Sequence, residues 1–310
     1  MRTISLQTPG KSPEQLNVYK ANLHTHSTTS DGKFSPQEMI DKYSAAGYDV
    51  LSLTDHGKHN DLSLYDHRGM TLIPGMELHP DGPRGIRWHI LALNITRDIP
   101  EGIPEADAQS VIDMINRVGG YPVVAHPYWC GFTSAEVMSL KNVPAIEVSN
   151  SSCRYIGREF NMQLWDETLD AGKNYCALSV DDAHRPRDLF RNWTMLCAKS
   201  NSVSDLADAL KAGNYYATQG PEFTRIHFDG TAFEAEFTPC TTAILMSRRS
   251  TGRLTMVPDF EGPGTTQVVT SMKVDVSDFP RDTYFRCQIA DEDGRMAWSR
   301  PFRFPAEEEK

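Results

Sequence analysis

The stretch Asn22-Leu23-His24-Thr25-His26-Ser27, followed by Asp31-Gly32, decides how this chain is read. Asn22 and Leu23 read as the end of a buried strand. A His-x-His pair at a strand end sends two imidazoles into the mouth of a barrel or sheet. Imidazole is the commonest protein metal ligand and suits Zn, Fe, Mn or Ni. Taken alone the pair is weak evidence, because histidines in any fold are more often structural, so the rest of the chain has to decide.

Outward from this stretch a rhythm runs from residue 20 to about residue 200. Short apolar runs occur at Ala21–Leu23, Asp49–Leu53, Thr71–Met76, Trp88–Leu93, Pro122–Ala125, Ala145–Val148, Tyr175–Val180 and Trp193–Ala198. Several are continuous in Val, Ile and Leu, as strands buried on both faces should be. Helix punctuation separates several of them. Ser35-Pro36-Gln37-Glu38 is a capping box with Pro at the first helical position, and Gly47 stops that helix. Thr133 and Glu136 form a second capping box, and helical spacing is predicted over 105–118, 155–171 and 202–212. Strand–helix alternation of this kind implies a parallel sheet. Seven or eight repeats in about 200 residues predict a closed α/β barrel, whose chemistry sits at the C-terminal ends of the strands.

The helical period disappears after residues 214–221. Ile226/Phe228 and Phe233/Ala235/Phe237 alternate around Asp229-Gly230, a hairpin signal, and the theme returns around Asp293-Gly294. The predicted organisation is a lead-in over 1–17, a barrel over 18–220, a small β-sandwich over 221–305 and an acidic tail over 306–310.

Composition narrows the function. The 310 residues are 39% hydrophobic and 23% charged, ordinary for a globular protein. A net charge of −10 without a Lys/Arg cluster disfavours a surface that grips long nucleic acid. No apolar run approaches the about 18 residues of a membrane helix, and the N-terminus lacks the apolar core of a signal peptide. Six scattered cysteines then read as reduced thiols in a cytoplasmic protein, with Cys176 and Cys197 as core residues.

The ends of the proposed strands share one chemistry. They carry His24-x-His26 with Asp31, Thr54-Asp55-His56, Gly75-Met76-Glu77-Leu78, Ala125-His126-Pro127 and Asp181-Asp182-Ala183-His184. His89 lies near the start of the Trp88–Leu93 run. Six of the ten histidines therefore fall at or near these positions, which random scatter would not produce. His59, His67 and His79 read as solvated or supporting loop residues, and His227 as unrelated to the site.

The ordered set HTHS-x3-DG, TDH, GMEL, a single His in WHI, AHP and DDAH resembles the PHP (polymerase and histidinol phosphatase) family of amidohydrolase-like metal hydrolases. The motifs span residues 22 to 184, about half the chain. The resemblance implies a distorted (β/α)7 barrel and, more loosely, an appended β domain like that of some single-chain members. It also implies two or three divalent ions, Zn, Mn or Fe. His24, His26, Glu77 and Asp182 would hold the first, with Glu77 bridging to a second held by His89 and His126. Asp31, His56 and His184 would hold a third, and Asp31, His56, Glu77 and His184 would serve catalysis. The implied reaction is hydrolysis by a metal-bridging hydroxide.

Candidate phosphate-binding groups are Arg154, then Arg185 and Arg187 just after His184. The loop that carries Ser151, between Asn150 and Arg154, could also offer its amides to an anion. Asp55 and Asp181 are expected to orient neighbouring histidines, and Glu147 to support the site or the core. The leading expectation is a phosphomonoesterase or phosphodiesterase acting on a small molecule. A carbamate, ester or amide hydrolase would use the same ligands, and Arg154→Ala should separate the two. A non-enzymatic metal-stabilised module is the third reading.

Overall fold

The computed structural model describes residues 2–95, 107–256 and 268–305. The chain divides into two compact units: Tyr19–Ala217, and the residues up to Val18 together with those from Thr218 on.

The Tyr19–Ala217 unit is a mixed α/β barrel-like body made of two strand sets. In the first, the end of Glu14–Asn22 pairs parallel with Val50–Leu51, which pairs parallel with Thr71–Leu72. Trp193–Ala198 lies on the other side, next to Tyr215–Thr218. The second set runs in the order Gly75–Leu78, Ile90–Leu93, Tyr121–Val124, Ala145–Asn150 and Cys176–Val180. The two sets meet beyond the strand ends. His56 and Glu77 form a parallel bridge, as do Thr25 and Ala183. Asp182 N–H donates to the His24 carbonyl at 2.9 Å, and Gly57 N–H to that of Glu77 at 2.8 Å. Thr194 Oγ1 also bonds the Ser179 backbone.

Val50–Leu51 and Ala145–Asn150 pair parallel with both neighbours, as expected, but one strand departs from this. Ile90–Leu93 is antiparallel to both neighbours. Only loop and a short 3-10 turn at Pro83–Gly85 lie between it and Gly75–Leu78, so no helix returns the chain for a parallel crossover.

Helices Pro36–Ala45 and Ser134–Ser139 begin at the two capping boxes, with Ser35 and Thr133 accepting from the third helical amide. The helix predicted over 105–118 begins at Ala108 with Asp107 as its cap; residues 105 and 106 lie outside the described residues. The span predicted over 155–171 is split. A 3-10 turn at Ser152–Ile156 ends at Gly157, whose φ of 73° ordinary residues resist, and the helix proper is Met162–Asp170. Leu23, Leu91, Val123, Leu178, Val180 and Leu196 form the barrel core. Met39, Ile40 and Tyr43 of the first helix pack on Leu51, Leu53 and Leu72.

The second unit contains only β-strands among the described residues. The Asp229-Gly230 hairpin joins the antiparallel strands Phe223–Phe228 and Ala232–Cys240. Phe228, Phe233, Phe285 and Phe302 pack in its core. The N-terminal residues are no simple lead-in: Arg2–Gln7 forms a strand, parallel to Phe223–Phe228, and Ser5 Oγ bonds His227 Nε2 at 2.8 Å. In that short polar stretch only Ile4 is buried, too little alternation to be read from sequence. The acidic tail lies outside the described residues. All six cysteines are free thiols, Cys197 buried and Cys176 half-buried against the core. No helix among the described residues is long and apolar enough to cross a membrane.

Candidate metal centre

The expected ligands converge because most of them lie in or shortly after a strand of the barrel. His24 and His26 leave Glu14–Asn22, His56 leaves Val50–Leu51, Glu77 lies inside Gly75–Leu78, and His126 and Asp182 end Tyr121–Val124 and Cys176–Val180. His89 joins them from the start of Ile90–Leu93, because that strand runs the other way. His126 and Asp182 take positive φ values of 25° and 50°. Non-glycine residues adopt that conformation only where surrounding structure imposes it.

The donor atoms form three groups. His24 Nε2 and His26 Nε2 are 3.0 Å apart. Asp182 Oδ1 lies 3.2 and 3.1 Å from them, and Glu77 Oε2 lies 3.4 Å from each. These separations match the about 3.3 Å between donors in a tetrahedral shell with bonds of about 2.0 Å. The other Glu77 oxygen faces a different pair, His89 Nδ1 at 2.7 Å and His126 Nε2 at 3.4 Å. Asp31 Oδ1 lies 3.4 Å from both His56 Nε2 and His184 Nε2, and 3.9 Å from His26 Nδ1. Glu77 therefore faces two ligand groups at once, one through each oxygen.

Several of these atoms are buried without a hydrogen-bond partner: His26 Nδ1, His56 Nδ1, Glu77 Oε2 and Asp182 Oδ1. His56 Nδ1 comes within 2.9 Å of Glu77 Oε2, but not in hydrogen-bond alignment. Buried polar atoms are normally paired, and four exceptions in one cluster mark donors shaped for cations. The electrostatics agree. Burial would lower the His24 pKa, yet the Asp182, Glu147 and Glu77 carboxylates hold it well above the usual imidazole range. Burial pushes its neighbour His26 down to about 4. Burial opposes ionisation of Asp182 and Glu77 as well, but the histidines around them keep both far below the usual carboxylate range. Paired anions and imidazoles in so small a volume, with nitrogen and oxygen donors, suit divalent metal ions.

A second layer holds these groups in place. Glu147 Oε1 accepts from His24 Nδ1 at 2.6 Å, and its Oε2 accepts from His126 N–H at 2.9 Å and the Asn150 amide at 2.9 Å. The same Asn150 amide donates to Asp182 Oδ2 at 3.1 Å. Asp55 and Asp181 do not orient histidines. Asp55 accepts from Ser27, Ser30 and Asn60 and so shapes the loop that follows His26. Asp181 accepts from the Tyr43 hydroxyl and the amides of Phe190, Arg191 and Asn192. Asp55 is thus engaged by hydroxyls, the Asn60 amide and backbone amides, and Asp181 by three backbone amides and the Tyr43 hydroxyl.

The donors open into a cavity of about 620 Å³. Arg185, Arg187 and Lys33 line it, as do Trp129 and Tyr155. Arg154 and Ser151 are not among the lining residues. The Arg154 guanidinium donates to the backbone carbonyls of Ser151 and Arg187, and Ser151 Oγ donates to the Asp188 carbonyl at 2.8 Å. His79 lies in the loop after Gly75–Leu78, its ring 4.7 Å from that of His56 and 4.3 Å from that of His89, as a supporting loop residue would. Cys130 Sγ lies 3.5 Å from His126 Nδ1. Sequence reasoning missed Lys33 and Asn150. The rule that found the ligands covers both: Asn150 ends a strand, and Lys33 follows the Asp31-Gly32 turn.

No family model matches the chain. Over 87 residues it is 37% identical to a 5'-3' exoribonuclease of Haemophilus influenzae, covering 26% of this chain and 31% of that protein. Over 45 residues it is 42% identical to the DNA polymerase/3'-5' exonuclease PolX of Bacillus subtilis, covering 14% of this chain and 8% of that protein. The matches thus span less than a third of either relative. A solved two-domain protein from Bacteroides vulgatus, described as containing a predicted PHP-like metal-dependent phosphoesterase, shares the fold. It has a TM-score of 0.53, 16% identity, and coverage of 99% of this chain and 91% of that one. The ordered histidine and carboxylate motifs of this chain are thus gathered around one cavity, in a fold that it shares with this PHP-like two-domain protein.

Proposed function

We propose that the chain hydrolyses a small-molecule phosphate ester with the help of two or three divalent ions, Zn, Mn or Fe. One observation carries the reading: buried, unpartnered Glu77 and Asp182 oxygens share a cavity with Arg185, Arg187 and Lys33. His24, His26, Glu77 and Asp182 would hold one ion, Glu77, His89 and His126 a second, and Asp31, His56 and His184 a third. Bound there, such ions lower the pKa of water towards neutrality and offset charge on a phosphoryl group.

The chain's own residues do the rest. Arg185, Arg187 and Lys33 bind and orient the phosphoryl oxygens, which a guanidinium can meet with two parallel donors. Glu147 fixes the tautomer of His24 so that Nε2 stays free as a donor. The innermost donors are fully buried, which keeps bulk water from screening the charges around them. A cavity of about 620 Å³ is the size of a small-molecule site. The net charge of −10 fits a short ligand better than a long polyanion.

The test is metal analysis of the purified protein, followed by a screen of phosphate esters beside carbamates and aryl esters. Phosphate release that requires metal and disappears in Glu77→Gln and Asp182→Asn is the expected result. Hydrolysis of the acyl substrates with no phosphate released from any ester would overturn the reading.

A further inference from the structure

The cations of the cavity account for a phosphate, and Arg187 and Arg154 stack on Tyr155, but nothing among them accounts for the indole of Trp129. Trp129 and Tyr155 both line the cavity and are each 42% exposed. Neither ring sits there loosely. Trp129 belongs to the short helix Pro127–Cys130, which follows His126 directly. Arg158 donates to the carbonyls of Tyr128 at 3.0 Å and Trp129 at 3.2 Å. Arg84 donates to the Gly131 carbonyl at 2.8 Å, and the Asn161 side chain accepts from Tyr128 N–H at 2.8 Å. The backbone of the turn is thereby fixed, and the indole lies edge-on 5.5 Å from the His89 ring and 5.2 Å from the His126 ring. Tyr155 is held by the Arg187 guanidinium, whose central carbon lies 3.7 Å from its ring centre. A half-exposed indole on a fixed turn beside the donors of a polar cavity is a surface for a flat apolar group, since aromatic rings gain from stacking as well as from burial.

We infer that the ester carries a planar aromatic base, as a nucleoside monophosphate does, and that the Trp129 indole is its stacking face. The inference rests on the phosphoesterase reading and adds the leaving-group side of the substrate. With the phosphoryl group among Arg185, Arg187, Lys33 and the metal donors, the attached nucleoside lies along the Trp129 side of the cavity. Stacking of this kind accepts any base, so discrimination is against aliphatic phosphates rather than among bases.

The experiment compares adenosine 5'-monophosphate with glycerol 2-phosphate on the metal-loaded full chain, for wild type, Trp129→Ala and Trp129→Phe. Wild type should favour the nucleotide in kcat/KM. That preference should fall about tenfold in Trp129→Ala and largely return in Trp129→Phe, which keeps a ring. An aliphatic preference in wild type, or a ratio unchanged in Trp129→Ala, overturns the inference while leaving the phosphoesterase reading intact. A second readout is independent of turnover. The nucleotide should quench tryptophan fluorescence saturably, glycerol 2-phosphate should not, and Trp129→Phe should remove the quench. If no ester is hydrolysed, the phosphoesterase reading fails and this binding measurement still decides the stacking site: no saturable quench overturns it.

Discussion

Glu147 Oε1 accepts the Nδ1 proton of His24 at 2.6 Å, while the opposite nitrogen of that ring faces Glu77 and Asp182. Both residues are fully buried. A histidine that offers one nitrogen to a metal commonly gives its other proton to a carboxylate, which fixes the ring and raises its basicity. Here the second oxygen of the same carboxylate also anchors the His126 backbone, so Glu147 reaches two of the ligand groups. Glu147→Ala should lower bound metal affinity by about 10- to 100-fold. Metal titration of the chelated variant against wild type checks this. A purely structural role would lower the melting temperature but leave the metal affinity of the folded protein unchanged.

Arg187 and Arg154 divide one task. Arg187 lines the cavity and packs on Tyr155, whereas Arg154 spends its donors on the Ser151 and Arg187 carbonyls. Arg187→Ala should cost about 10²-fold in turnover of a phosphate ester, the scale of one lost charge-stabilising donor. Arg154→Ala should cost less, about tenfold, because it acts only by loosening the turn that carries Arg187. Steady-state kinetics on one ester settles the order. A larger loss in Arg154→Ala would return that residue to the role the sequence suggested.

Gly32 follows Asp31 for a steric reason. A Cβ there would stand 2.3 Å from the His26 carbonyl oxygen and 2.5 Å from its carbon, both backbone atoms of a ligand residue. Gly32→Ala must therefore displace either the loop or His26, at a cost of about 1–3 kcal/mol. Thermal unfolding should report that loss in the metal-free protein too, and Asp31 should then contribute less to metal binding. Unchanged stability and metal content would show that the close approach is not a constraint.

The Asp229 hairpin makes a prediction about acid stability. Amide donors of Ala232 and Thr231 hold the Asp229 carboxyl at about 2, below the usual aspartate value. A carboxyl depressed by folding contributes stability that is complete above the unfolded pKa of about 3.9 and is lost as pH falls through the folded value. Wild type should therefore lose more stability than Asp229→Asn between about pH 4 and pH 2. Urea unfolding at several pH values measures this, and parallel curves for the two proteins would contradict it.

Much of the site was legible in the linear order of residues. Strand ends are local features, marked where an apolar run meets a polar residue. Three carboxylates and five imidazoles at such ends, with His89 nearby, already specify a nitrogen- and oxygen-rich centre. The capping boxes at Ser35 and Thr133 and the turn at Asp229-Gly230 were readable for the same reason, since each is closed by contacts within a few residues.

Tertiary structure alone decided what depends on a partner far along the chain. His89 looked misplaced at the beginning of its run, and only the antiparallel direction of Ile90–Leu93 carries it to the ligand end. Arg2–Gln7 became a strand because Phe223–Phe228, more than two hundred positions away, supplies its hydrogen bonds. Arg154 turned from the cavity to backbone carbonyls, Asp55 to the Ser27, Ser30 and Asn60 donors and Asp181 to backbone amides, because those groups come within reach only once the loops have closed. Residue type and spacing determine which chemistry a chain can perform, whereas strand direction and competition for hydrogen bonds determine which side chains are left to perform it.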